Sequence, residues 1–134
     1  MSLVTSKQLL LDAQKGGYAI GAFNIENMEM VQAVIAAAEE LRSPVILQTT
    51  PGTLAYAPPE LYYANVQAAA QAATVPVAIH LDHGNSYDLA MRALGAGYTS
   101  IMIDGSQAGC GTHQPHPAAG KHPAGASRHL RCAR

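Results

Sequence analysis

Apolar residues run through this chain in two rhythms. Short continuous runs, at residues 18–23, 45–47, 77–80 and 100–103, alternate with longer segments whose apolar positions recur three and four apart. A short apolar run bounded by turn residues predicts a buried strand, and the wider spacing predicts an amphipathic helix. Thr5 or Ser6 can cap a first helix with Leu9, Leu10 and Ala13 on its apolar face, and Gly16-Gly17 ends it. Strand 18–23 follows, with Asn24 at its exit. Asn27 is positioned to cap a second helix carrying Met30, Val31, Val34, Ile35, Ala38 and Leu41, which Ser43-Pro44 stops because the residue before proline leaves the helical region. Strand 45–47 leads into an exit loop over 48–53. Pro58-Pro59-Glu60 opens a third helix, with proline in the first turn, through Leu61, Ala64, Val66, Ala68 and Ala72. Strand 77–80 comes next. Ser86 then caps a helix through Leu89, Ala90, Ala93 and Leu94 to Gly95 and Gly97, ahead of strand 100–103.

The order is helix, then strand–helix three times, then a strand. Such alternation predicts an α/β fold with parallel strands. Each exit carries polar or small residues: Asn24, Thr49-Thr50, Asp82-His83 and Asp104-Gly105-Ser106. Strand exits gathered on one rim are the arrangement of a (β/α) barrel site. A doubly wound sheet would also gather them, although the glycine-rich phosphate turn expected after its first strand is absent.

The pattern fails after Gln107. Residues 108–134 contain no Asp, Glu, Val, Ile, Met or aromatic residue and a single leucine, Leu130. A segment so poor in apolar surface is expected to stay disordered. The domain expectation is therefore a folded unit over 1–107 and a low-complexity tail over 108–134. The tail's composition resembles GC-rich DNA read out of frame, so a frameshifted or truncated gene is expected.

The length, 134 residues, predicts one domain and falls short of the roughly 250 residues of a complete eight-stranded barrel. A formal net charge of −1 offers nothing to nucleic acid. No signal peptide is evident, no apolar run is long enough to span a bilayer, and the cytoplasm is the expected compartment.

The sharpest chemical signal is His80-Leu81-Asp82-His83-Gly84, a carboxylate beside an imidazole at a strand end. The bland alternatives are a helix cap with a surface histidine for Asp82-His83, a satisfied core histidine for His80, and turn chemistry for Asn24, Thr50 and Asp104. A Schiff-base lysine is disfavoured, because Lys7, Lys15 and Lys121 all lie away from strand ends. In the tail, Cys110, His113, His116, His122, His129 and Cys132 have some zinc-like spacings but no strand or helix around them.

With these motifs in hand, the chain resembles the class II, metal-dependent ketose-bisphosphate aldolases, and among them the tagatose-1,6-bisphosphate aldolases. The resemblance covers about residues 3–107. It rests on Gly17-Tyr18-Ala19 through Ala22-Phe23-Asn24, Ser43-Pro44-Val45-Ile46-Leu47, Thr50-Pro51-Gly52-Thr53, His80-Leu81-Asp82-His83-Gly84 and Met102-Ile103-Asp104-Gly105-Ser106. The threonine-proline-glycine-threonine loop inclines the reading toward tagatose over fructose bisphosphate. The family fold is a (β/α)8 TIM barrel, here cut to about its first four strands. The family continues with a histidine after the Gly-Ser pair, where this chain has Gln107. Two further zinc histidines, an acidic catalytic residue and glycine-rich phosphate loops have no counterpart.

The resemblance implies a lyase that splits a ketose 1,6-bisphosphate into dihydroxyacetone phosphate and glyceraldehyde 3-phosphate, with Zn2+ as cofactor. It implies Asp82 as the proton-transfer group, His83 as the first zinc ligand, Asp104 at a second metal position, and Asn24 and Thr50 near substrate. The implied partners are the sugar bisphosphate and triose phosphates, a homo-oligomer, and in some tagatose aldolases a non-catalytic subunit. Having one zinc histidine of three, the 134-residue chain alone is expected to be inactive. The competing expectation is a non-enzymatic half-barrel or small binding protein that covers its open edge with a partner or by self-association.

Overall fold

A computed structural model describes residues 3–106. The expectations for the tail, including its histidines and cysteines, lie outside the described residues.

Helix α1 (Ser6–Gly16) follows Thr5, which makes no side-chain cap bond, and ends at Gly17 in the left-handed conformation. Strand β1 (Gly21–Asn24) is shorter than expected. Tyr18 donates its N–H to the Ala13 carbonyl and so belongs to the helix exit rather than the strand. Helix α2 (Met28–Leu41) is capped as expected, Asn27 accepting the Met30 N–H at 2.9 Å. Strand β2 (Val45–Thr49) follows.

The expected exit loop instead holds a short helix, α3 (Pro51–Tyr56), started by proline and by reciprocal bonds between Thr50 and Thr53. Helix α4 (Pro59–Ala72) comes next. Strand β3 (Val77–Gly84) runs four residues past its expected end at His80. Helix α5 (Tyr87–Ala96) is capped by Ser86, which accepts the Leu89 N–H, and strand β4 (Ser100–Ile103) completes the order.

The four strands form one parallel sheet in the order β1-β2-β3-β4. A doubly wound sheet reverses its strand order at a switch point. This one does not, so the winding is that of a barrel.

Strand residues alternate between two faces. Val45, Leu47, Val77, Ile79 and Leu81 join Val31, Ile35, Val66, Ala70 and Ala93 in the main core, beneath α2, α4 and α5. Ile46 and Ala78 point the other way and meet Leu9 of α1, with Val4 and Ile20 alongside. Helix α1 thus plugs the N-terminal end of the inner face. It buries Leu9 and Ala13, whereas the expected Leu10 is 54% exposed. Toward the C-terminal ends the inner face turns polar. No described helix is long and apolar enough to cross a membrane.

Candidate active site at the strand mouths

Because β1, β2 and β3 are in parallel register, Asn24 sits opposite Gln48, and Gln48 opposite His80. Two residues further along, Asp82 lies on the same face as His80. The Gln48 amide nitrogen donates to Asn24 Oδ1 at 2.7 Å and to Asp82 Oδ2 at 2.9 Å. One side chain thereby ties three strand exits together. The Asp82 side chain keeps 20% of its surface exposed, so its carboxylate remains reachable.

His83 stands beyond a break in the ladder. The β3–β4 register shifts between Leu81 and Gly84, and His83 adopts a left-handed φ of 52°, unusual for a residue with a side chain. This turns the ring toward β4. Its Nδ1 lies 3.2 Å from Asp104 Oδ2, and its Nε2 lies 3.8 Å from Asp82 Oδ1. Asp104 is itself anchored, its Oδ1 accepting the Ser106 N–H at 2.9 Å and the Ser106 hydroxyl at 2.6 Å.

Electrostatics follow this geometry. The hydrogen bond to Asp104, then the charge of Asp82, hold the His83 imidazole above its ordinary range. The Ser106 hydroxyl, followed by His83 and the Ser106 N–H, holds Asp104 down at about 2. His80, deeper in the strand, behaves oppositely: burial pulls it below the usual imidazole range. Its Nδ1 lies 2.7 Å from Ser100 Oγ, which receives the Ser6 hydroxyl at 2.8 Å.

Four of the five expected site residues, Asn24, Asp82, His83 and Asp104, therefore share one polar string across the mouth. Thr50 stands apart from it, its hydroxyl accepting the Thr53 N–H at 3.3 Å as the cap of α3. Residue-by-residue reading missed Gln48, which joins the string, and Ser106, which anchors Asp104. The signal for Gln48 was available, since it is the inward-facing polar residue of an otherwise apolar strand. As for a metal, the mouth offers one imidazole and two carboxylates. Among the described residues no three His, Cys, Asp or Glu side chains converge to hold an ion. By themselves they do not form a zinc site.

Comparison with known proteins agrees with this fold. The family model described as fructose-bisphosphate aldolase class-II matches residues 4–112. The chain belongs to the class II fructose-bisphosphate aldolase family. It is 51% identical over 104 residues to the fructose-bisphosphate aldolase of Thermus caldophilus, a stretch that is 78% of this chain and 34% of that protein. Among solved structures it resembles the YdjI aldolase from Escherichia coli K12 at a TM-score of 0.72 and 39% identity, covering 78% of this chain and 40% of that one. The chain thus spans about a third of the length of the Thermus aldolase and two fifths of the Escherichia coli one. Its four strands correspond to part of an aldolase barrel.

Proposed function

We propose that this chain carries one part of the active-site mouth of a metal-dependent ketose-bisphosphate aldolase, with Asp82 as the proton-transfer group. The observation that carries the reading is the Asp82 carboxylate, oriented by Gln48 and still open to the mouth, next to the exposed His83 ring. Aldol cleavage needs a proton moved at the aldehyde oxygen as the carbon–carbon bond breaks. A carboxylate fixed at a strand end is suited to that transfer. A bound divalent cation would supply Lewis-acid stabilisation of the enediolate.

His83 is the donor this chain would offer to such an ion. With Asp104 engaging Nδ1, Nε2 is the nitrogen left for it, the arrangement in which a carboxylate orients a metal-binding imidazole. That geometry suits Asp104 to an orienting role as well as to the second metal position implied by resemblance. Asn24 and Thr50 are proposed to approach substrate, Asn24 from within the polar string and Thr50 from the start of α3. The products would be dihydroxyacetone phosphate and glyceraldehyde 3-phosphate, made in the cytoplasm by an oligomer, in which a non-catalytic subunit would be compatible. The 1–107 and 108–134 division is proposed on composition. Tagatose over fructose bisphosphate is proposed on the Thr50–Thr53 loop alone, while the Thermus relative is named for fructose bisphosphate.

A chimera tests this reading. Residues 4–106 replace the matching segment of the Thermus aldolase, and cleavage of both bisphosphates is measured. Activity that survives the exchange and collapses in Asp82→Asn supports the proposal. Undiminished turnover in Asp82→Asn ends it. A second reading is proposed for the polypeptide by itself, a half-barrel without catalysis, on the ground that residues 3–106 bring no three donor side chains together. Detectable aldol cleavage by that polypeptide would exclude it.

A further inference from the structure

Asp82 and His83 are the two residues of a β-bulge. Leu81 pairs with Ile101 and Gly84 with Ile103, so two residues of β3 face Met102 alone. In a regular strand successive side chains point to opposite faces. The bulge instead brings this pair together, with His83 Nε2 3.8 Å from Asp82 Oδ1. It also holds His83 at its left-handed φ of 52°, a conformation that persists only where the surroundings fix it. The position of the bulge depends on the register of β3 against β4, and a slip of one residue would exchange the faces.

Side chains pin that register below the bulge. The Thr99 hydroxyl accepts the Ile79 N–H at 3.1 Å and donates to the Ile79 carbonyl at 3.3 Å. On the next rung His80 pairs with Ser100, and His80 Nδ1 lies 2.7 Å from Ser100 Oγ. The segment leading into α1 ties both strands from beneath. Val4 donates its N–H to the Val77 carbonyl at 2.9 Å, and Ser6 donates its hydroxyl to Ser100 Oγ at 2.8 Å. Val77 is the first residue of β3 and Ser100 the first of β4. Two tethers, two residues apart, thus grip the starts of adjacent strands.

We infer that residues 4–6 form a splint across β3 and β4, and that Ser6, Ser100 and His80 are positioning residues for Asp82 and His83. Backbone groups are alike at every residue, so a ladder can re-form after a slip. A bond from one histidine to one serine, and from that serine to another, cannot. These bonds therefore select one register among those the backbone allows. The same chain of bonds gives His80 a task on the inner face other than holding an ion. That the splint serves a reaction rests on the aldolase reading of Asp82 and His83; that it holds the bulge does not.

The test uses NMR of the complete 134-residue polypeptide, isotope-labelled. Ser100→Ala removes both bonds at once, and Ser100→Thr keeps the hydroxyl on a residue suited to strands. In Ser100→Ala the backbone signals of His83 and Asp104, both beyond the bulge from residue 100, should move. Those of Ile25, whose N–H is bonded to the Gln48 carbonyl, should stay. Ser6→Ala should displace the same two residues, and carries the test if circular dichroism shows Ser100→Ala unfolded. Ser100→Thr should leave every signal near its parent position. Should the polypeptide give no dispersed spectrum, amide exchange over residues 82–84 in the Thermus chimera replaces it, expected to quicken at least about tenfold in Ser100→Ala. In that chimera Ser100→Ala should also lower kcat at least about tenfold with KM within about twofold, and Ser100→Thr should restore it. Unmoved His83 and Asp104 signals, or unchanged exchange, would overturn the splint. A displaced bulge with unchanged kcat would overturn the positioning role. Undiminished turnover in Asp82→Asn would instead end the aldolase reading and leave the splint standing.

Discussion

The Nδ1 of His83 and the Oδ2 of Asp104 sit 3.2 Å apart, joining the end of β3 to the end of β4. The contact helps to shift both groups: the imidazole goes upward, chiefly through Asp104, and the carboxyl, held first by the Ser106 hydroxyl and then by His83, goes down to about 2. A raised imidazole contributes stability that is fully present below the ordinary value of 6.5 and lost as pH rises through the elevated one. A depressed carboxyl contributes stability present above 3.8 and lost as pH falls toward about 2. The contact is therefore at full strength between those two ordinary values, and weakens on either side. In Asp104→Asn the His83 ring should titrate closer to 6.5, as followed by NMR of its ring carbon-bound protons. An unchanged titration would mean that Asp104 does not govern the ring.

Most of the fold was legible because its signals are local. Asn27 and Ser86 start helices through side-chain bonds to the backbone, and Gly17 ends one because, lacking a Cβ, it takes up the left-handed conformation freely. The misses have a common physical origin. β3 was expected to stop at His80 because polar residues in an apolar run read as an ending, yet His80 and Asp82 are the inward positions of a strand that continues to Gly84. Gln48 was assigned to a loop for the same reason, although it pairs within β2. Where a strand lines a polar site, chemistry and hydrophobic pattern give opposite answers. α3 was hidden differently: Thr50-Pro51-Gly52 suits a turn as well as a helix start, and only the reciprocal Thr50–Thr53 bonds distinguish them.

Beneath the mouth, the Thr49 hydroxyl and the Tyr98 phenol lie 2.9 Å apart, both buried. Burial pushes the phenol up to about 12, so it stays neutral across the working range. Thr49→Val keeps the volume and leaves the phenol unsatisfied, at a cost of about 1–3 kcal/mol. Tyr98→Phe should cost less than this, and the double variant less than the sum of the two. Urea unfolding of the four proteins measures each value. Additivity would show that the two groups do not interact.

At Gly84 the limit is space. A Cβ there would lie 2.7 Å from the Met102 carbonyl oxygen, which is backbone and cannot swing aside. The same glycine accepts the Asp104 N–H at 2.8 Å. Gly84→Ala should lower stability by about 1–3 kcal/mol through overpacking. Because the displaced junction carries Asp104, the His83 ring signals should shift as well. A variant as stable as the parent, with unchanged ring signals, would show that the strand end yields without cost.

Gln48 offers the most direct test of how the mouth is held. Its amide is the only group bonded to both Asn24 and Asp82 in the polar string described above, and both bonds are donated. Gln48→Met keeps the length and removes the donors, so Asp82 loses its support without meeting new charge. Gln48→Glu keeps the shape but turns an acceptor toward two acceptors, one of them a carboxylate, and like charges at that range repel. At neutral pH, stability should fall in the order parent, Met, Glu, the first step by about 0.5–1.5 kcal/mol. On acidification the introduced carboxyl takes up a proton, at a pH raised above the ordinary carboxylate range by the neighbouring charge, and this relief of the repulsion should bring Glu back level with or above Met. Denaturation of all three proteins at pH values on either side of that protonation checks the crossing. If the Met and Glu curves stay parallel, the Gln48 amide is not facing Asp82 in solution, and the string that links the strand mouths is broken at its centre.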